Sequence, residues 1–264
     1  HNDDIEEFEE FVKDIKNYGF DAVLVADLGL FDMMQELAPE IPIHVSTQAN
    51  NINYRSAIKW YKMGATRVVL AREMSFKEIA EFQKKIPEDL ELEAFIHGAM
   101  CISYSGRCLL SNYMTGRDSN MGACAHPCRW NYKLVEETRP GEYMDVFENE
   151  RGTFIFNSKD LCTIRHIPEL VQSGIASLKI EGRVKTSYYV ATVVGAYRRE
   201  IDRYCADPEN YVFNEAEYEE LCKVSHRPYT TGFYFGKPDE NSQVYTSSSY
   251  IRDYDLIGIV KDYD

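Results

Sequence analysis

Three stretches of this chain, YGFDAVLVA, MGATRVVLA and SGIASLKIE, follow one plan: a glycine, a short connection, then an apolar run. A glycine in that place suits the left-handed residue that closes a helix, and the apolar run reads as a buried strand. Helix and buried strand in repeated succession build parallel βα units. Strands are expected at 21–26, 41–46, 66–71, 91–97, 153–157 and 176–180. Ile5, Phe8, Val12 and Ile15 form one apolar face of a helix over 4–18. Helices are also expected around 30–38 and 53–62, and Ser75 with Glu78 three residues on forms a capping box that opens another. HIPELVQSG and VKTSYYVATVVGAYRREIDRY complete the helical set. The class expected is α/β, an incomplete TIM-like (β/α) barrel, because six strands fall short of the eight that close one. The missing N-terminal units would precede His1, and a chain beginning with His is expected to be a fragment. Residues 1–204 are read as the partial barrel. Residues 205–264 are read as a linker and a truncated C-terminal β region, rich in Tyr, Thr, Ser and Gly from 229 onward.

In a βα barrel the loops that follow the strands form the active face, so the residues just past each strand end matter most. Here those ends supply Asp27, then Ser46, Thr47 and Gln48, then Arg72 and Glu73, then His97. The last two supply Asn157, Ser158, Lys159 and Asp160, and Glu181, Gly182 and Arg183. Taken singly, Asp27 suits a helix cap and His97 a satisfied core histidine. Taken together, they outline a substrate pocket.

The strand at 91–97 runs directly into four cysteines, Cys101, Cys108, Cys124 and Cys128, spaced C-x6-C-x15-C-x3-C. Gly106, Gly116, Gly122 and Pro127 lie among them, and turn-rich backbone lets thiolates converge. Soft sulfur ligands select zinc or an iron–sulfur cluster. Structural zinc usually pairs its ligands across two to four residues, which the first gap exceeds, whereas four-cysteine cluster sites tolerate irregular spacing. Both metals stay open at this point, with Cys162, at the start of an expected helix in NSKDLC, as a spare fourth ligand. Seven cysteines are too sparse, and odd in number, for a disulfide-stapled domain. Cys205 and Cys222 read as small apolar core fillers.

The run ELEAFIHGAMCISYSGRCLLS resembles the signature of the family historically called peptidase U32, or collagenase-like peptidases. The blocks GACAHPCRW, RPGEY, GTFIFNSKDL and SLKIEGRVKTSYYVATVVGAYRREID resemble its branch associated with 5-hydroxylation of the wobble uridine of tRNA. The likeness runs from about Asp21 to Asp202. It implies a four-cysteine 4Fe–4S cluster in a barrel, tRNA as substrate, prephenate as a needed metabolite, and a possible partner subunit of the same family. Prephenate is a dicarboxylate, and Arg72, Lys159, Lys179 and Arg183, with Glu181 beside them, are the expected substrate-binding residues.

Charge is distributed to match. The net charge is −14, yet residues 101–135 carry 4 basic and 1 acidic side chains and residues 161–203 carry 7 and 4. A positive pocket in an acidic body suits a docked anion or a local stretch of RNA. Arg107, Arg117 and Arg129 mark one island and Lys179, Arg183 and Lys185 the other, with Tyr104, Tyr113 and Trp130 available to stack on bases. No run of 18 apolar residues and no leader appears, so a cytoplasmic protein with no membrane partner is expected. The alternatives are a U32-type peptidase and a zinc-stapled RNA-binding protein. Against the peptidase, the chain has neither HExxH nor GxSxG, which leaves Cys124 with His126 as its formal nucleophile and base.

Overall fold

The computed structural model describes residues 2–101, 103, 108–119, 121–130, 134–135, 143–144, 159–237, 250–254 and 257–258. It opens with α1 (Asn2–Ile15), β1 (Val23–Val25), α2 (Leu28–Leu37), β2 (Ile43–Val45), α3 (Tyr54–Lys62), β3 (Ala65–Val69), α4 (Phe76–Gln83) and β4 (Glu91–Ala99). Next come α5 (Leu110–Thr115), β5 (Leu134–Val135), β6 (Tyr143–Met144), β7 (Asp160–Cys162), α6 (Ile167–Gln172) and β8 (Ser177–Ile180). The chain continues through α7 (Ser187–Ala206), α8 (Glu215–Lys223) and β9 (Tyr229–Thr230).

The alternation read from the sequence is what the main sheet shows. Strands β1, β2, β3 and β4 pair in order, all parallel, and β8 pairs parallel with β4. The glycines that precede three of these strands, Gly19, Gly64 and Gly174, all have positive φ, as a helix end before a strand requires. Ser75 and Glu78 close the capping box in both directions. β4 is the longest of these strands and is buried from Leu92 to Gly98, as expected of a strand covered on both faces.

The sheet departs from the simple repeat at β7. Cys162 ends this strand rather than opening a helix, and β7 pairs antiparallel with β4 at His97–Ala99, beyond the residues that pair with β3. The cause is burial: Asp160, Leu161 and Cys162 are all inside, and extended backbone there can bond both β4 and β9, which pairs parallel to β7. The expected strand at 153–157 lies outside the described residues. So does most of the expected C-terminal strand in YDLIGIVKDYD.

Two apolar cores hold the layers together. One gathers Phe31, Met34, Val45, Val68, Ile79 and Leu92 between the early strands and α1–α4. The other packs Ile164, Ile167, Leu170, Val193 and Leu221 between α6, α7 and α8. Each fully buried side chain of this size contributes about 1.5–3 kcal/mol. α1 uses a narrower face than its pattern suggests: Val12 and Ile15 are buried and Phe8 packs partly, but Ile5 is exposed. Likewise Cys205, expected in the core, is exposed.

Candidate functional site

β4 delivers the chain to Cys101, and a local hydrogen-bond frame positions the remaining cysteines. Ser111, buried on α5, accepts the Ala125 N–H at 3.0 Å, tying the chain beside Cys124 to the helix that follows Cys108. Ser119 donates to the Cys108 carbonyl. The turn is closed by Gly122 N–H to the Ser119 carbonyl at 3.2 Å and Ala123 N–H to the Asp118 carbonyl at 3.0 Å. A 3-10 turn over Pro127–Arg129 then places Cys128, which is buried.

All four cysteines line one cavity of about 500 Å³ together with Arg72, Lys179, Glu181 and Arg183. Ser46, Thr47 and Gln48 also reach it, so the ends of β2, β3, β4 and β8 meet there. All seven cysteines are free thiols. Cys101 keeps a solvent-open side, yet the protein crowded around it raises its thiol pKa. Cys108 and Cys124 add to that rise, while the Ser103 backbone and Arg72 oppose it. At Cys124 the sulfur accepts the backbone N–H of His126 at 3.3 Å. Among the described residues, no three His, Cys, Asp or Glu side chains are set to hold a single ion. The thiols thus share a cavity without closing on one point. Four thiols lining one cavity are a soft donor set of the kind that holds an iron–sulfur cluster or zinc.

The cations around this cavity are not equivalent. The Lys179 ammonium lies 2.7 Å from Glu93, a buried carboxylate that also accepts from Ser177 at 2.8 Å and Arg67 at 3.3 Å. Burial pushes Glu93 up, but Lys179, Ser177 and Arg67 outweigh it, and its pKa falls below the usual carboxylate value. The Arg72 guanidinium sits 3.8 Å from the centre of the Phe95 ring. Arg183 leans over the cysteine turn: a Cβ on Gly122, at φ +74°, would lie 2.9 Å from its Cζ and closer to Nη1. Its own backbone N–H donates to the Glu181 carboxylate at 2.9 Å. Gly98, at φ +108°, lets β4 pass the Glu181 backbone, where a Cβ would lie 2.8 Å from the Glu181 Cβ.

Other expected site residues stand elsewhere. Asp27 is the N-cap of α2, accepting from Gly29 N–H at 2.8 Å and Leu30 N–H at 3.1 Å. His97 is buried among Tyr189, Tyr197 and Tyr229. Burial, with Lys185 and His226 adding like charge, pushes it down to about 3, so its ring is neutral. Lys159 and Cys162 line a second cavity apart from the four cysteines. Tyr104, Arg107, Asn157 and Ser158 lie outside the described residues. The sequence reading missed Met121 as cavity lining, since nothing in its spacing sets it apart from ordinary loop residues, and it named His126, which also lines the cavity, only as a formal base beside Cys124.

The model of peptidase family U32 matches residues 1–244. The chain is 43% identical over its whole length to tRNA hydroxylation protein P1 of Bacillus subtilis strain 168, covering 62% of that protein. It is 40% identical to tRNA hydroxylation protein P of Escherichia coli K12, over 88% of this chain and 59% of that one. The 23S rRNA 5-hydroxycytidine C2501 synthase of Escherichia coli K12 is 32% identical over 76% of this chain and 29% of its own length. The chain thus spans about three-fifths of the length of the first two relatives. A model matched over nearly all of the sequence, with relatives this similar, shows that the chain belongs to peptidase family U32.

Proposed function

We propose that this chain is the cofactor-bearing part of an RNA-hydroxylating protein that acts on C5 of the wobble uridine of tRNA. The carrying observation is the single cavity that gathers Cys101, Cys108, Cys124 and Cys128 with Arg72 and Arg183. The relatives support the reading: one is a tRNA hydroxylation protein and another a 23S rRNA 5-hydroxycytidine synthase, whose product carries its hydroxyl at C5 of a pyrimidine. Oxygen insertion at that carbon is beyond side-chain acid–base chemistry; Cys101, Cys108, Cys124 and Cys128 would hold a 4Fe–4S cluster, which would supply redox chemistry that side chains lack. The protein's own part is to hold the base and exclude competing partners. Trp130 and Tyr113 are exposed on the cysteine segment, where they stack on bases displaced from a single-stranded loop. Arg183 and Arg72 hold anionic groups, either RNA phosphate or the carboxylates of a dicarboxylate such as prephenate. Lys159, in the other cavity, takes no part in that grip. We read β1–β4 and β8 as consecutive staves of an incomplete (β/α) barrel. The protein works in the cytoplasm, where its tRNA substrate is, and among the described residues no helix is long and apolar enough to cross a membrane. A second subunit of the same family fits the same scheme.

The peptidase reading has less to stand on, because the chain carries neither HExxH nor GxSxG and the contact seen between His126 and the Cys124 sulfur is through the His126 backbone N–H. The test has two arms. Full-length protein purified without oxygen should be brown and contain iron. Deleting its gene, where no second protein of this type exists, should remove 5-hydroxyuridine-derived nucleosides from tRNA by mass spectrometry. A colourless zinc protein, or unchanged nucleosides, would sink the proposal. An Arg183→Glu form that keeps its iron but fails to restore the modification would tie the pocket to substrate.

A further inference from the structure

The second cavity, about 470 Å³, is formed where β7 and β9 meet the segment Thr231–Lys237. Its basic lining residues are Lys159, Arg165, His166 and Lys237, and among the described residues no Asp or Glu lines it. That is a sharp local departure in a chain with 43 acidic and 29 basic residues. Two of these side chains are already engaged. The Arg165 guanidinium is held by Glu215 at 2.6 Å and covers the Tyr218 ring at 3.6 Å, and His166 lies 3.3 Å from Glu169. Lys159 and Lys237 make no ion pair among the described residues. They place two ammonium groups on a pocket with no carboxylate among its described lining residues, beside the hydroxyls of Thr230 and Thr231.

One wall is aromatic. The Phe235 ring is 56% exposed although its centroid is 4.5 Å from the His166 ring and 5.5 Å from the Phe76 ring. A ring fixed by neighbours on one side and bare on the other is a stacking platform. At the floor, burial pushes the Cys162 thiol up to about 12, so it stays neutral and adds no negative charge to repel an anion.

We propose that this cavity binds a nucleotide, its base on Phe235 and its phosphate between Lys159 and Lys237. The volume lies in the range of small-molecule sites. Two flexible ammonium groups with neighbouring hydroxyls suit the several acceptors of a phosphate. The same chemistry describes a free mononucleotide or one nucleotide of an RNA strand. The site uses none of the four clustered cysteines, so the proposal goes beyond the hydroxylation reading and does not depend on it.

The test is calorimetric titration of the full-length protein with AMP and, separately, with a short single-stranded oligoribonucleotide. AMP or the oligonucleotide should bind, and the affinity should fall at least about tenfold in Lys159→Ala/Lys237→Ala and decline with added salt. Both lysines are at least partly exposed, so this double variant should fold. Adenosine, lacking the phosphate, should bind wild type and the double variant equally weakly. Cys101→Ser/Cys124→Ser should keep the site intact, which separates it from the cysteine cavity. Equal affinity for the two probes would identify a free nucleotide as the occupant, and much tighter oligonucleotide binding would identify a strand. Binding of neither probe, or binding indifferent to the lysine pair, would overturn the proposal.

Discussion

Two glycines beside the cysteine cavity separate a steric demand of backbone from one of side chain. In Gly98→Ala the new methyl at φ +108° would be 2.8 Å from the Glu181 Cβ and nearer still to the Glu181 carbonyl. Neither can swing away, because Glu181 N–H bonds the His97 carbonyl at 2.9 Å and Gly98 pairs with Leu161 across β4 and β7. A non-glycine residue in that region costs about 1–3 kcal/mol, and forcing two packed strands apart adds about 1–3 kcal/mol more. We therefore expect about 4 kcal/mol. In Gly122→Ala the methyl at φ +74° meets only the far end of Arg183, a flexible chain that can rotate. The expected cost there is about 1–2 kcal/mol, the left-handed strain alone. With a urea slope of about 3 kcal/mol/M, Gly98→Ala should lower the unfolding midpoint by more than about 1 M and Gly122→Ala by about half that or less. Losses that agree within about 1 kcal/mol, or that fall in reverse order, would refute the distinction between rigid and yielding neighbours.

Further outcomes follow from the same contacts. Glu93, held below its usual pKa chiefly by Lys179 against its burial, contributes stability that is complete above pH 4.5 and lost as pH falls through its folded value. Glu93→Gln should be less stable at pH 7 by about 3 kcal/mol, with a shallower loss below pH 4.5 in acid urea titrations. His97 has the opposite charge type but the same direction: its folded pKa, about 3, lies below the ordinary 6.5. Acid should therefore erode stability from pH 6.5 downward, by at most about 1.4 kcal/mol per unit. His97→Phe should flatten that slope, and nitrogen NMR should find the His97 ring neutral at pH 5. For the cysteines, Cys128→Ser should abolish iron retention while Cys162→Ser, in the other cavity, should leave the iron content of anaerobically purified protein unchanged.

The sequence showed β1 to β4 and β8 clearly, because each is a short apolar run, and β1, β3 and β8 also follow a helix-ending glycine whose positive φ has a direct steric cause. It hid β7, because Asp160–Leu161–Cys162 is too short to show a period and its polar first residue looks like a helix cap. Asp160 is instead wholly buried and accepts the Arg227 backbone N–H at 3.1 Å, a partner 67 residues away that no local pattern reveals. The gathering of Cys101, Cys108, Cys124 and Cys128 was legible because four thiols in one turn-rich segment have few other uses. The separation of Lys159 from Arg183 was not. Both follow strand-like segments, and only the antiparallel entry of β7 sends Lys159 to a different cavity.

That separation changes how charge at the cysteine cavity should be apportioned. Four cations of similar promise reduce to two when the contacts are counted. Lys159 is elsewhere, and Lys179 is committed to Glu93, whose desolvated carboxylate would be left uncompensated if the ammonium turned toward a ligand. Arg72 keeps its guanidinium on the Phe95 ring, at the lining of the cavity. Arg183 rests on a glycine turn that any side chain would disturb. An anion entering beside the thiols would therefore be held by two guanidiniums carried on the loops after β3 and β8. Because a guanidinium grips a carboxylate or phosphate through two parallel hydrogen bonds and an ammonium does not, Arg183→Lys should weaken anion binding nearly as much as Arg183→Ala. Lys179→Arg, by contrast, should act mainly on stability.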